Sequence, residues 1–207
     1  MAISDRLTTL DALWSAWAEH GRAMTDEQWA QPTRLGSWDV RSLYAHASWW
    51  PRTFASLVGM VREAEPTHAT AAVLLRAFNA PDGVAHRMRD WAAASAREEA
   101  AKYSTEELVE QFAVAGPPAI TAARELGDVT VDYFGQAVLR LGEVVSIGVV
   151  EATVHLLDLQ RALGLPPQLP ADGLALTTAL LAEMAPPVDF IEAATGRSAT
   201  TPFPVLT

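Results

Sequence analysis

The 207-residue sequence contains no cysteine, which excludes disulfides, thiolate metal ligands and a cysteine nucleophile. It is also poor in positive charge: 15 Lys and Arg stand against 25 Asp and Glu, a formal net charge of -10. No basic cluster interrupts that balance, which argues against nucleic acid or an anionic membrane as partner. No stretch reaches the roughly 18 uninterrupted apolar residues of a membrane span. Residues 1–10 carry polar and charged residues where a signal peptide needs an apolar core, so a cytoplasmic, soluble protein is expected. Half of the residues are nevertheless hydrophobic, enough for one substantial core.

The stretch from Gly142 to Gly164 organises the rest. It is apolar on almost every side, too long for a strand, and ends at Gly164 followed by Leu165-Pro166-Pro167, so a buried helix is predicted. Glu151, His155 and Asp158 follow each other at steps of four and three and therefore share one stripe of that helix. A buried carboxylate without a partner costs several kcal/mol. A metal ion is a partner that Glu and His at this spacing can share. Asp158 suits either of two roles, orienting a ligand from behind or pairing with Arg161 three residues on.

Upstream, Ser4 is placed to cap a first helix running to about His20, with Leu7, Leu10, Trp14 and Trp17 as its buried face. Thr25 to Gln28 has the pattern of a capping box. Ser37 or Asp39 then caps a second long helix, from Val40 to about Glu63, that carries His46. Pro51 lies inside it and predicts a bend about one turn beyond His46, opening a pocket beside the histidine. Trp49 and Trp50 are candidates for lining that pocket, as well as for simple core packing. Ala69 to Asn79 reads as a short helix, and residues 82–127 as mostly helical, with breaks at Tyr103 to Glu107 and at Gly116-Pro117-Pro118. The alternating Val129-Thr130-Val131 reads as a crossing loop. A helix over Pro170 to Ala185, a short one from Pro187 and an extended tail over residues 200–207 complete the chain.

Several amphipathic helices without a convincing sheet predict an all-α bundle, in which the second helix can bring His46 to Glu151 and His155. Two segments carry a closer resemblance: WAQPTRLGSWDVRSLYAH, from Trp29 to His46, and EATVHLLDLQRALG, from Glu151 to Gly164. They resemble the two signature segments of the mycothiol-dependent maleylpyruvate isomerase family in the DinB-like superfamily. The resemblance implies a DinB-like four-helix bundle over residues 1–165. A C-terminal helical extension, residues 166–207, packs its additional short helices on the same domain. It also implies a divalent metal, most often zinc, held by His46, Glu151 and His155, with Asp158 behind them. Three protein donors leave a coordination position open, as catalytic zinc sites do.

The same resemblance implies that mycothiol takes the open position. In the absence of cysteine, the reactive sulfur comes from outside the protein. The expected activity is transfer of the thiol to a small electrophilic metabolite, or isomerisation of one by adding and releasing it. Only residues 165–207 follow Gly164, too few for the additional C-terminal domain of the isomerase, which weighs against maleylpyruvate as substrate. Two other functions fit the same residues: a thiol-independent hydrolase, lyase or cyclase using the metal as Lewis acid, and a non-enzymatic small-molecule binding protein. Either a monomer or a homodimer is compatible with the sequence.

Overall fold

The computed structural model describes residues 1–198 and 200–206. Four long helical segments form the bundle: α1 (Ile3–Ala23), α3 (Val40–Val58), the consecutive α6 (Thr105–Glu110) and α7 (Gly116–Leu126), and α8 (Leu141–Ala162). α1 packs on α8 and α7, and α3 packs on α7 and α8, so the four segments close a ring around one core. Between them lie α2 (Asp26–Trp29), α4 (Ala71–Phe78) and α5 (Val84–Lys102). After α8 come α9 (Ala171–Met184), which packs against α8 and α4, and α10 (Pro187–Ala194). No single helix among the described residues is long and apolar enough to cross a membrane.

The aromatic stripe of α1 is the centre of the core. Leu7, Leu10, Trp14 and Trp17 are all at most 1% exposed, so the three- and four-residue spacing does describe a fully buried face. The Trp17 indole N–H donates to the Ala152 carbonyl at 3.0 Å, and its ring stacks on Phe112 with centroids 5.3 Å apart. The Tyr44 hydroxyl donates to the Trp17 carbonyl at 2.9 Å. α1, α3, α8 and the turn carrying Phe112 are thus tied together directly behind the surface that carries the histidines.

Helix ends follow the local chemistry with some corrections. Thr25 and Gln28 form the expected capping box, Ser104 and Glu107 form another, and Asp39 caps α3 through the Ser42 amide at 2.8 Å. Ser4 does not cap α1: the helix begins two residues earlier than such a cap would set it, at Ile3 behind Ala2, and runs through Gly21 to Ala23. α8 closes as expected, with Gly164 at φ 67° and the Leu165 amide reaching back to the Gln160 carbonyl at 2.8 Å.

α3 runs through Pro51 but stops at Val58, not Glu63, because the chain beyond Gly59 is recruited by a hairpin. β1 (Thr130–Tyr133) pairs antiparallel with β2 (Ala137–Arg140), and the Arg62 amide bonds the Thr130 carbonyl at 2.9 Å. The segment expected to be a crossing loop is therefore a strand. It pairs with Ala137-Val138-Leu139, an apolar run short enough to be overlooked next to α8. At the hairpin tip Phe134 and Gly135 both have positive φ, 53° and 71°, the conformation of a tight hairpin turn.

The expected break at Gly116-Pro117-Pro118 is not one. A π-helical turn, Gln111–Ala115, joins α6 to α7, and the two prolines occupy the first turn of α7, where missing amides are tolerated. Gly116 follows that turn because a Cβ there would stand 2.8 Å from Cε3 of Trp14.

Candidate metal centre

α3 presents His46, and α8 presents Glu151 and His155 one turn apart on the face turned toward α3. Their ligand atoms lie within 4.8 Å of one another. His155 Nε2 is 3.5 Å from a Glu151 oxygen, and the two imidazoles stand nearly perpendicular, 5.1 Å between centroids. Zinc bonds of about 2.0–2.2 Å to nitrogen and oxygen place tetrahedral neighbours roughly 3.5 Å apart, so the Glu151–His155 pair already has that spacing. The His46 nitrogen lies within 4.8 Å of both. A neutral imidazole pair with one carboxylate is also the right donor chemistry for such an ion, so the residues fit it.

Asp158 sits behind this group, 3% exposed, with both oxygens engaged. One accepts from His155 Nδ1 at 3.1 Å and the other from Arg34 Nε at 2.6 Å. Asp158 thus orients a candidate ligand, and its cationic partner is Arg34, not Arg161. With Nδ1–H given to Asp158, Nε2 of His155 is the atom aimed at Glu151.

Electrostatics separate the two histidines. Burial, and then the charge of His155, push His46 down to about 4, against an opposing pull from Glu151. Burial would also lower His155, but Asp158 and Glu151 outweigh it and raise the imidazole to about 9. Glu151 and Asp158 are both held below the ordinary carboxylate range: burial alone would raise them, but His155 together with His46 at Glu151, and together with Arg34 at Asp158, outweighs it. In the absence of a cation, His46 is a neutral donor and His155 an imidazolium clamped between two carboxylates.

Trp38 covers the pair, its ring 4.9 Å from His46 and 6.5 Å from His155. It and Arg34 sit on a closed loop in which the Thr33 amide bonds the Trp38 carbonyl at 2.9 Å and the Val40 amide bonds the Gln31 carbonyl at 2.8 Å. Neither role was readable from the sequence, although Trp38 lies inside the first motif. Beside His46 and Glu151 opens a cavity of about 170 Å³. Trp49 and Trp50 both line it, joined by Tyr133 from the hairpin and by Trp91, Ser95 and Glu99 from α5. Phe134 braces this wall, with its ring 4.9 Å from Trp49.

The fold and site define a helical-bundle protein with a two-histidine, one-carboxylate cluster at the floor of an aromatic cavity. The chain belongs to the family of the mycothiol maleylpyruvate isomerase N-terminal domain, whose model matches residues 10–160. No curated protein and no solved structure matches it.

Proposed function

We propose that this chain is a metal-dependent enzyme that uses an external thiol, mycothiol in the first instance, to transfer to or isomerise a small electrophilic metabolite. The observation that carries the reading is the convergence of His46, Glu151 and His155 beside a cavity, in a family member that has no cysteine of its own. These three residues would hold a divalent ion, with zinc matching the nitrogen and carboxylate donors. When bound, such an ion supplies the positive charge that lowers a thiol's pKa and keeps it as the nucleophilic thiolate. His46 enters as a neutral donor. Asp158 fixes the His155 tautomer, and Arg34 holds Asp158 in place. Trp49, Trp50, Trp91 and Tyr133 give the electrophile an apolar wall beside the three donors.

Asp158 is a positioning residue in this scheme. Asp158→Asn is expected to weaken metal binding by about 10- to 100-fold, the usual loss when a ligand's hydrogen-bond partner is removed. Arg34→Ala should weaken it less, because 58% of the Arg34 side chain faces solvent, which can replace it. Competition against a chelator of known affinity measures both, and an unchanged affinity in Asp158→Asn removes the positioning role.

The thiol reading is tested by coupling. Mycothiol at a hundred times its dissociation constant should stabilise the metal-loaded protein by about 2.7 kcal/mol and leave the stripped protein unchanged, since a ligand of the folded holo state shifts unfolding by mass action. A metal-dependent reaction running equally fast without thiol rejects this mechanism in favour of direct Lewis-acid catalysis.

A further inference from the structure

The cavity beside the three-residue cluster has a composition that bears on what can enter it. Its walls are rings and methyl groups, with Trp49, Trp50, Trp91 and Tyr133 on several sides. The charged side chains that line it, Glu99 and Glu151, are both acidic, and among the described residues neither Lys nor Arg lines it. The nearby cations are already paired. Arg52 pairs with Glu99 at 2.5 Å and lies over the Tyr103 ring at 5.0 Å. Arg41 gives its guanidinium to the carbonyls of Ala100 and Tyr103, and Arg34 is held by Asp158.

We propose that this cavity selects a neutral electrophile carrying a single aromatic or conjugated ring, and rejects dianionic substrates. The inference rests on the proposed function for the place where chemistry occurs, but its evidence is the cavity itself. With the ion's charge offset by Glu151 and by the thiolate of the proposed mechanism, and with Glu99 paired to Arg52, a carboxylate moved into these surroundings loses several kcal/mol of hydration with nothing to replace it. Maleylpyruvate, which names the family, carries two carboxylates, so it is a poor match for this chain. A ring is a good match: a cavity of about 150 Å³ is enough to take benzene, and this one measures about 170 Å³. Tryptophan rings offer stacked and edge-on contacts to such a guest.

α5 is the specificity-determining wall. Trp91, Ser95 and Glu99 recur every four residues, so one stripe of the helix faces the cavity. Trp91 stands at the opening, 61% exposed, an unusual degree of exposure for a tryptophan. Ser95 is a small side chain facing the space the ring would fill.

The test uses the purified chain with its metal content measured alongside, before and after stripping with a chelator. Benzyl alcohol serves as the neutral ring and maleate as a dianion of similar size, with binding followed by calorimetry and tryptophan fluorescence. Benzyl alcohol is expected to bind saturably to the stripped protein and to the loaded protein with mycothiol in excess, in both at least tenfold tighter than maleate. Ser95→Leu, which fills the cavity, should weaken benzyl alcohol at least tenfold without changing metal content. Trp91→Ala, at an exposed position that the fold does not need, should weaken it more modestly. Maleate binding tighter than benzyl alcohol to the stripped protein, or to the loaded protein with mycothiol in excess, overturns the proposal, as does ring binding unchanged in both variants. A chain that binds the ring but holds no metal refutes the thiol mechanism and leaves this inference standing. One that holds metal but binds no ring does the reverse.

Discussion

Replacement of His46 or His155 by alanine is expected to reduce bound divalent metal from about one equivalent per chain to background, because a three-donor site cannot spare a donor. Loss of a residue that only orients a ligand already costs about 10- to 100-fold in affinity, and loss of the ligand itself must exceed that. The two variants differ in what they leave behind. His155→Ala leaves Asp158 its contact with Arg34 but strips Glu151 of the imidazole 3.5 Å away. His46→Ala leaves the Glu151–His155–Asp158 chain intact on α8 and removes the donor from α3 alone, so its metal loss isolates the contribution made across the bundle. Metal content by elemental analysis, with circular dichroism to show that the helices persist, decides the matter. Both variants folded and fully loaded would place the metal elsewhere.

The second large effect is on the pH dependence of the metal-free protein. His155 has a folded-state pKa of about 9 against 6.5 unfolded. Its contribution is therefore complete below pH 6.5 and is lost as pH rises through 9. At 1.36 kcal/mol per pKa unit this amounts to about 3 kcal/mol. His46 works in the other direction. Its folded pKa is depressed to about 4, so the unfolded chain takes up a proton first and stability falls as pH drops from 6.5 toward 4. Together they give the stripped protein a stability maximum near pH 6.5. Metal binding at Nε2 displaces a proton from His155, so affinity should climb with pH toward 9 just where the stripped protein weakens. Denaturant titrations at pH 5, 6.5 and 9, with and without zinc, measure both trends. Stripped protein that grows steadily more stable from pH 6.5 to 9 contradicts the clamped imidazolium.

The residues that the sequence makes readable are those whose partners are local or whose pattern is periodic. Glu151 and His155 share a helix face, and the stripe of α1 buries itself as its spacing requires. Thr25 and Ser104 cap helices through amides three residues away. What escapes is contact between positions far apart. Arg34 meets Asp158 across 124 positions, and with a sequence neighbour of opposite charge available in Arg161, helical spacing points to the wrong partner. The cavity wall on α5 escapes for a different reason. Only Ala96 and Ala100 of that helix are buried, so its sequence reads as a solvated face, and Trp91 or Ser95 gain meaning only beside the tryptophans of α3. The hairpin escapes because each strand is four residues long and β1 pairs with the chain that follows α3, Met60 to Arg62.

The π-helical turn between Glu110 and Gly116 has a bearing on how this chain can change length. Such a turn accommodates one residue more than an α-helix would in the same span, leaving both flanks on their original faces. Elsewhere in the bundle a single-residue deletion rotates everything beyond it by about 100° and turns a buried stripe toward water. Here the surplus is already isolated: Val114 is 63% exposed, while Phe112 on one side and Ala119 and Ile120 on the other are buried. Deletion of Val114 is therefore expected to relax the turn to ordinary helix with Phe112 still on Trp17, so that residues 111–115 are a stretch where the bundle can lose a residue without repacking the core.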